Sequence, residues 1–252
     1  MSTRVTPLVD EPVRIAIVDY GMGNRRSVEK ALEHVGARAS ITNEHEQLCA
    51  ADGLIVPGVG AFPRAMERVR GLGLDTLLRE LVDAGTPVLG ICLGMQIAFD
   101  SSTELGGAEG LGVVPGEVRV LDHAALKLPH IGWNDVRFTQ PSSPLVADLP
   151  GSCAFYHVHS LAPVPTDEHD VLGVAEYGAP FVSAVQRGSF YGVQFHPEKS
   201  SAAGLRLLAN FARICIAAAH ADAPPATSSE ITSAAPVAAP SVPPADFSSA
   251  AR

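Results

Sequence analysis

Two kinds of hydrophobic pattern alternate along the first half of the chain. The runs RIAIVDY, GLIVPG and PVLGIC are short and almost continuously apolar, which is typical of buried strands. The segments between them carry apolar residues at helical spacing: Val28, Ala31, Leu32 and Val35 in the first, and Leu74, Leu77, Leu78, Leu81 and Val82 in the second. This alternation of strand and helix predicts a parallel sheet with helices on both faces.

The second half is richer in strand patterns. They are GEVRVL, WNDVRF, CAFYHVHS, VLGVAEY, FVSAVQRG and FYGVQF, and they are followed by a helix in which Leu207, Phe211, Ile214 and Cys215 share a face. We therefore predict an α/β fold. It is a single domain with a mostly parallel central sheet, flanking helices, and a mixed or antiparallel part toward the C-terminus.

Composition sets the limits of this domain. Residues 217–252 are mostly Ala, Pro and Ser, and such a segment buries too little apolar surface to offset the entropy of ordering it. We expect a disordered tail over 217–252, with a docking tail as the alternative. We also expect a loose segment over 1–12, which leaves a folded domain over 13–216.

The net charge and the cysteines indicate which partners and which cellular compartment to expect. The net charge of −9 argues against nucleic acid as a partner, because phosphate binding needs a basic surface. We find no apolar core of signal-peptide length near the start and no apolar run of transmembrane length, so we expect a cytoplasmic protein with no membrane partner. The cysteines contain no C-x-x-C pair and are expected to be thiols: Cys49, Cys92, Cys153 and Cys215.

The stretch VLGICLGMQ contains candidate chemistry. Gly90, Cys92 and Gly94 form G-x-C-x-G, the thiol counterpart of the G-x-S-x-G nucleophile elbow. Such a turn holds the nucleophile at its apex, where side chains two residues away on either side would collide. We expect MQIAFDSS to continue as a helix whose dipole favours a thiolate, with the Leu93 N–H as an oxyanion donor. The alternative is a buried structural cysteine.

A base for this nucleophile is present in YGVQFHPEKS. His196 and Glu198 are two residues apart and lean to one face of an extended segment, which Pro197 favours at His196. The carboxylate would hold the imidazole tautomer while the other ring nitrogen takes the proton. Alone, this tripeptide is more typical of an exposed turn. Together with Cys92 it favours catalysis.

The segment VPGVG, residues 56–60, follows a predicted strand. A peptide flanked by glycines can present a backbone N–H and can flip, because glycine tolerates either sign of φ. It would give a second oxyanion donor, from Val59 or Gly60, although by itself it is typical of a plain turn.

Together, GICLGMQ, GVQFHPEKS and VPGVGAF resemble the class I (triad) glutamine amidotransferases. DYGMGNRRSVEKAL and LPHIGWN narrow the resemblance to the glutaminase subunits of imidazole glycerol phosphate synthase, which belongs to histidine biosynthesis. The resemblance covers the whole predicted domain and implies a flavodoxin-like fold. It also implies a triad in which Cys92 attacks the glutamine amide, His196 transfers the proton to ammonia, and Glu198 orients His196.

The resemblance implies further roles, residue by residue. The oxyanion hole would consist of Gly58, Val59 and Leu93. Glutamine would be held by Gln96, Glu104, Val158, His159 and Ser160, and the residues facing the partner would be Asn24, Trp133 and Lys199. No cofactor and no metal is implied.

A partner is expected on two grounds. The family resemblance implies a (βα)8-barrel cyclase subunit that binds this chain as a heterodimer and receives the ammonia. Independently, the chain shows no P-loop or Rossmann fingerprint to bind an ammonia acceptor, so a second protein would use the ammonia. We expect low activity from the chain alone and strong stimulation by partner and ligand, with the Gly58-Val59-Gly60 peptide as the switch.

Three positions depart from the family pattern. Arg25 stands where an apolar residue is common and bears on the local interface. His157 stands where an aromatic such as Phe is usual and Leu161 where Tyr is common, and we expect both to alter the rim of the glutamine pocket.

Other functions stay open at this point. A metal-binding module would use His157 and His159, which share a strand face, with His196 and Glu198. A catalytically idle interaction subunit is a second alternative. A glutaminase of another pathway, such as vitamin B6 or anthranilate synthesis, is a third, and its glutamine chemistry would be identical.

Overall fold

A nine-stranded sheet forms the centre of the computed structural model, which describes residues 12–221. In spatial order its strands are β2 (Arg38–Thr42), β1 (Arg14–Val18), β3 (Gly53–Gly58), β4 (Val88–Cys92), β13 (Phe190–Val193), β12 (Ala179–Arg187), β11 (Val171–Tyr177), β8 (His130–Phe138) and β9 (Ser152–His159). The strands from β2 to β13 pair in parallel, and the pairs from β13 to β9 are antiparallel. The predicted mixed sheet is confirmed, with its parallel part making up half of the pairings rather than most of them.

A second sheet was not predicted. Its four strands in the described residues are, in spatial order, β10 (Leu161–Pro165), β7 (Val114–Val120), β5 (Phe99–Ser102) and β6 (Ala108–Glu109). β5 occupies the second half of MQIAFDSS, so the prediction that this segment continues as a helix was wrong. Phe99 is fully buried and the backbone of β5 pairs with β6 and β7, so pairing between distant segments overrides the local pattern.

Helices cover the parallel part of the large sheet on both faces. They are α1 (Arg25–His34), α2 (His45–Cys49), α3 (Phe62–Gly71), α4 (Leu74–Asp83), α5 (Leu93–Gln96) and α6 (Ser201–Ala221). The alternation of side chains along β1 divides the core: Ile15 and Ile17 pack in one cluster with α1 and α6, and Ala16 and Val18 pack in the other with α3 and α4.

The last helix corrects two sequence-based expectations. α6 runs to Ala221, so residues 217–221 are helical and do not belong to the predicted tail. The rest of that tail, and all of the loose segment except Pro12, lie outside the described residues. By length and composition α6 could span a membrane, contrary to the expectation that no apolar run reaches that length. It is a core helix here, since Leu207 and Phe211 are fully buried against the sheet.

Candidate active site

Cys92 lies at the sharp turn between β4 and α5. Its φ of 54° and ψ of −112° fall outside the conformations that non-glycine residues usually adopt, which is typical of strained functional turns. A Cβ atom on Gly90 would lie 2.7 Å from the carbonyl oxygen of Gly94, and one on Gly94 would lie 1.7 Å from that of Val56. The turn itself therefore requires Gly90, and the neighbouring strand β3 requires Gly94.

His196 and Glu198 follow β13, the strand beside β4. The Nδ1 atom of His196 lies 3.0 Å from a carboxylate oxygen of Glu198, and both side chains are almost completely buried. His196 has the extended backbone predicted from Pro197. α6 presses on this turn, because a Cβ atom on Gly204 would lie 1.9 Å from the carbonyl oxygen of Pro197. Close packing thus fixes the position of the imidazole.

The charge state of His196 follows from opposing effects. Burial lowers its pKa, but side-chain hydrogen bonds with Cys92 and Glu198 and the charges of both partners outweigh burial and raise the pKa to about 9. The imidazole is therefore protonated at neutral pH. A cation between a carboxylate and a sulfur atom favours negative charge on that sulfur.

The predicted oxyanion residues lie beside Cys92. Gly58 ends β3 and is in register with Cys92 across the parallel pair, and a Cβ atom on Gly58 would lie 2.8 Å from the Cβ of Leu93. Tyr20, which is fully buried, donates a hydrogen bond of 2.8 Å to the carbonyl oxygen of Pro57. This hydrogen bond fixes the backbone before Gly58, whereas Val59, the residue after it, is 44% exposed.

A pocket of about 280 Å³ opens over Cys92 and His196. Its lining includes every residue predicted to bind glutamine: Gln96, Glu104, Val158, His159 and Ser160. The Glu104 carboxylate accepts a hydrogen bond of 2.6 Å from the backbone N–H of Phe62, so it also lies at the N-terminus of α3. The carboxylate of Glu104 in the pocket lining suits the α-amino group of an amino acid.

Three buried histidines, His130, His157 and His159, contact one another, and His159 lines this pocket. His159 Nδ1 donates to the carbonyl oxygen of Leu161 at 2.8 Å, so its Nε2 accepts from Nδ1 of His130 at 3.0 Å. Burial lowers the pKa of His159 to about 4, so it is neutral. With both ring nitrogens engaged, His159 offers a substrate its ring face and its backbone rather than a nitrogen.

His157 does not lie on the pocket rim, contrary to expectation. It is fully buried, with Nδ1 donating to the carbonyl oxygen of Phe155 and Nε2 accepting from the Ser183 hydroxyl. Burial lowers its pKa to about 3. Leu161 does line the pocket, as expected.

The residues predicted to face the partner lie on three segments of the chain: the turn after His196, strand β8, and the position before α1. Lys199 lines the pocket, and its amino group lies 6.0 Å from the ring of Tyr156, which in turn contacts the Trp133 ring. Trp133 is 55% exposed. Asn24 immediately precedes α1, and the next residue, Arg25, forms an ion pair with Asp19.

Two buried residues at the site were not singled out from the sequence. Gln194 is fully buried and donates to the sulfur of Cys92. Ser200 donates to the carbonyl oxygen of His196 and accepts from the backbone N–H of Tyr156. A sequence signal existed for Gln194: it is a polar residue inside an apolar run, on the same strand face as His196.

The metal-site alternative finds no support in residues 12–221. Within that range the structure contains no group of three or more His, Cys, Asp or Glu side chains arranged to hold a metal ion. The reason is visible at His157, whose two ring nitrogens already have partners.

Comparison with known proteins identifies the family. Residues 16–215 match the family model described as glutamine amidotransferase class-I. The chain belongs to this family. The amidotransferase is 49% identical over 200 residues to the imidazole glycerol phosphate synthase subunit HisH of Moorella thermoacetica, covering 79% of this chain and 94% of that one. It is 46% identical over 208 residues to HisH of Methylococcus capsulatus, covering 79% and 95%.

Solved structures resemble the amidotransferase in fold. One is PurLQS from Thermotoga maritima, with a TM-score of 0.63 and 17% identity over 82% of this chain and 99% of that one. Another is a glutamine amidotransferase, with a TM-score of 0.61 and 22% identity over 79% and 98%. At these identities the likeness concerns the fold alone.

Proposed function

We propose that this amidotransferase is the glutaminase subunit of imidazole glycerol phosphate synthase and acts in histidine biosynthesis. One observation carries the chemistry: Cys92 on a strained turn shares a pocket with a buried His196–Glu198 pair. The pathway assignment rests on the relatives named HisH, whose length this chain covers almost completely. That similarity disfavours the vitamin B6 and anthranilate alternatives.

The reaction proceeds in two stages. The Cys92 sulfur attacks the side-chain carbonyl carbon of glutamine, and the protonated His196 gives its proton to the departing nitrogen, so the C–N bond breaks and ammonia leaves. His196 then takes a proton from water, which attacks the thioester. Glutamate forms as the S–C bond breaks. Glu198 orients the imidazole throughout.

The remaining residues bind and stabilise. Backbone donors from the Gly58–Val59 segment and from Leu93 stabilise the oxyanion, and a flip of the Gly58–Val59 peptide on partner binding completes this set of donors. Glu104 and the side-chain oxygen of Gln96 accept hydrogen bonds from the α-amino group of glutamine, and Val158, His159 and Ser160 line the pocket wall. Their shared pocket supports these assignments.

The partner is a (βα)8-barrel cyclase in the cytoplasm, which would receive ammonia directly. The exposed Trp133, the adjoining Lys199 and Asn24 form the contact surface. The exposure of Trp133 next to the pocket supports this placement.

Glutamate release from glutamine tests the proposal. It is measured for the chain alone, then with the cyclase and its nucleotide ligand, with Cys92→Ala as the control. We expect low release by the chain alone, strong stimulation by the complex, and a loss of at least 10³-fold in the variant. Glutamate release that does not change when the cyclase is added would assign the protein to another pathway. Glutamate release by Cys92→Ala would refute the mechanism.

A further inference from the structure

A row of side-chain amides connects the pocket with the sulfur of Cys92. Gln96 donates through Nε2 to the carbonyl oxygen of Leu161 at 3.3 Å and to Oε1 of Gln194 at 3.0 Å. Gln194 lies 3.6 Å from the Cys92 sulfur through Nε2 and is fully buried. Its backbone is fixed as well, since its N–H donates to the carbonyl oxygen of Ser183 at 2.8 Å.

The backbone of Leu161 determines which way both amides point. Its carbonyl oxygen can only accept, so Gln96 must direct its NH₂ group there rather than its own oxygen. The same NH₂ group reaches Gln194, which must therefore present its oxygen to Gln96. The NH₂ group of Gln194 is then left facing the sulfur. Reversing either amide would oppose two acceptors or two donors.

From this geometry we propose that Gln194 is a further catalytic residue, which donates an N–H to the Cys92 sulfur and stabilises its thiolate, with Gln96 as the positioning residue that fixes the donor. The inference rests on the proposed function and deepens it. Hydrogen bonds to a charged acceptor are stronger than those to a neutral one, and a buried amide offers this donor without competition from water.

Both stages of the reaction would use this donor. The thiolate that attacks glutamine forms the S–C bond, and the same sulfur regains its negative charge when water breaks that bond. In the thioester between these steps the sulfur is neutral and the hydrogen bond is weak. Gln194 therefore favours the two charged states over the intermediate.

The test measures the reactivity of the Cys92 sulfur without substrate. The full chain is alkylated with iodoacetamide between pH 5 and 10, and peptide mass spectrometry follows Cys92 separately from the other cysteines. Gln194→Met keeps a similar side-chain length and removes the donor. We expect the pH midpoint of Cys92 alkylation to rise by about one unit and the rate at pH 7 to fall about tenfold.

Two further variants make the result decisive. Gln186→Met is the matched control, because it removes a glutamine amide whose partner is Ser143, and we expect an unchanged midpoint. Gln96→Met leaves Gln194 in place but frees its orientation, and a smaller rise in the same direction is expected. If Gln194→Met does not fold, the Gln96→Met variant still tests the proposal. An unchanged midpoint in a folded variant at either position would overturn the proposal. Because no glutamine is present, this result is independent of the glutamate-release assay that tests the proposed function.

Discussion

Two residues of the site have unusual local states: the backbone of Cys92 is strained and the buried imidazole of His196 is charged. Cys92 keeps a φ of 54° that few non-glycine residues adopt, and the backbone around it leaves room only for glycine. His196 keeps its proton despite burial, because Glu198 and Cys92 both stabilise the cation. These are costs to the fold that a purely structural turn would not carry, and they support the interpretation of Cys92 as a nucleophile rather than a buried structural thiol.

The raised pKa of His196 predicts the pH dependence. The folded-state pKa of about 9 exceeds the ordinary 6.5, so the stability that His196 contributes is present below about pH 6.5 and is lost as the pH rises through about 9. In the proposed reaction, the release of ammonia requires the same proton. We expect kcat/KM for glutamine hydrolysis by the complex to fall on the alkaline side with a midpoint near pH 9.

Glu198→Gln tests the cause of that shift. It removes the carboxylate charge beside the imidazole, and the alkaline midpoint of kcat/KM should move down by about one unit, together with a lower maximum. Glu46→Gln, at an exposed position of α2, is the control and should leave the profile unchanged. An alkaline limb that stays in place in Glu198→Gln would show that His196 does not owe its proton to this carboxylate.

Among the elements, α5 and β3 pack so closely that one methyl group added at Gly94 would clash with the backbone of β3. A Cβ atom on Gly94 would lie 1.7 Å from the carbonyl oxygen of Val56, and neither backbone can move without disturbing the central sheet. We expect Gly94→Ala to lower the free energy of unfolding by about 3 kcal/mol. For a domain of this size that is roughly a 10 °C fall in Tm, measured by thermal unfolding.

Gly71→Ala is the matched control for this substitution. Gly71 is the last residue of α3, and no atom outside its chain neighbours and its own helix backbone lies within 4 Å of the position that its Cβ would take. Alanine there should leave Tm unchanged or raise it slightly, since alanine favours the helix over glycine. If both alanine variants unfold at the same temperature, the tight approach of α5 to β3 does not exist in solution.

The sequence predicts the features that neighbouring residues determine, and it does not predict those that depend on contacts between distant segments. The turn at Cys92 and the extended His196 follow from neighbouring glycine and proline, and both were predicted. Strand β5 could not be predicted, because FDSS becomes a strand only by pairing with β6 and β7. The contact of Gln194 with the sulfur was missed because its amide orientation depends on Leu161, from the other sheet.

In the molecule as a whole, strand β8, in the antiparallel part of the nine-stranded sheet, carries large apolar side chains that are exposed. Ile131 is 59% exposed and Trp133 is 55% exposed, and both lie on β8. Trp133 contacts Tyr156, whose ring also lies near Lys199 at the pocket. The exposed surface and the pocket are thus connected through two side chains, which is the arrangement needed if partner binding is to reach the active site.

Trp133→Ala tests whether this surface binds the cyclase. Exposed tryptophans are often dominant contributors to interfaces, and we expect the Kd for the cyclase, measured by isothermal titration, to rise about 30-fold, corresponding to about 2 kcal/mol. Little stability should be lost, because the side chain is largely in solvent before binding. Leu72→Ala removes another exposed apolar side chain, at the turn between α3 and α4, and should leave the Kd unchanged. Equal affinity in Trp133→Ala and the unmodified chain would place the cyclase on a different face.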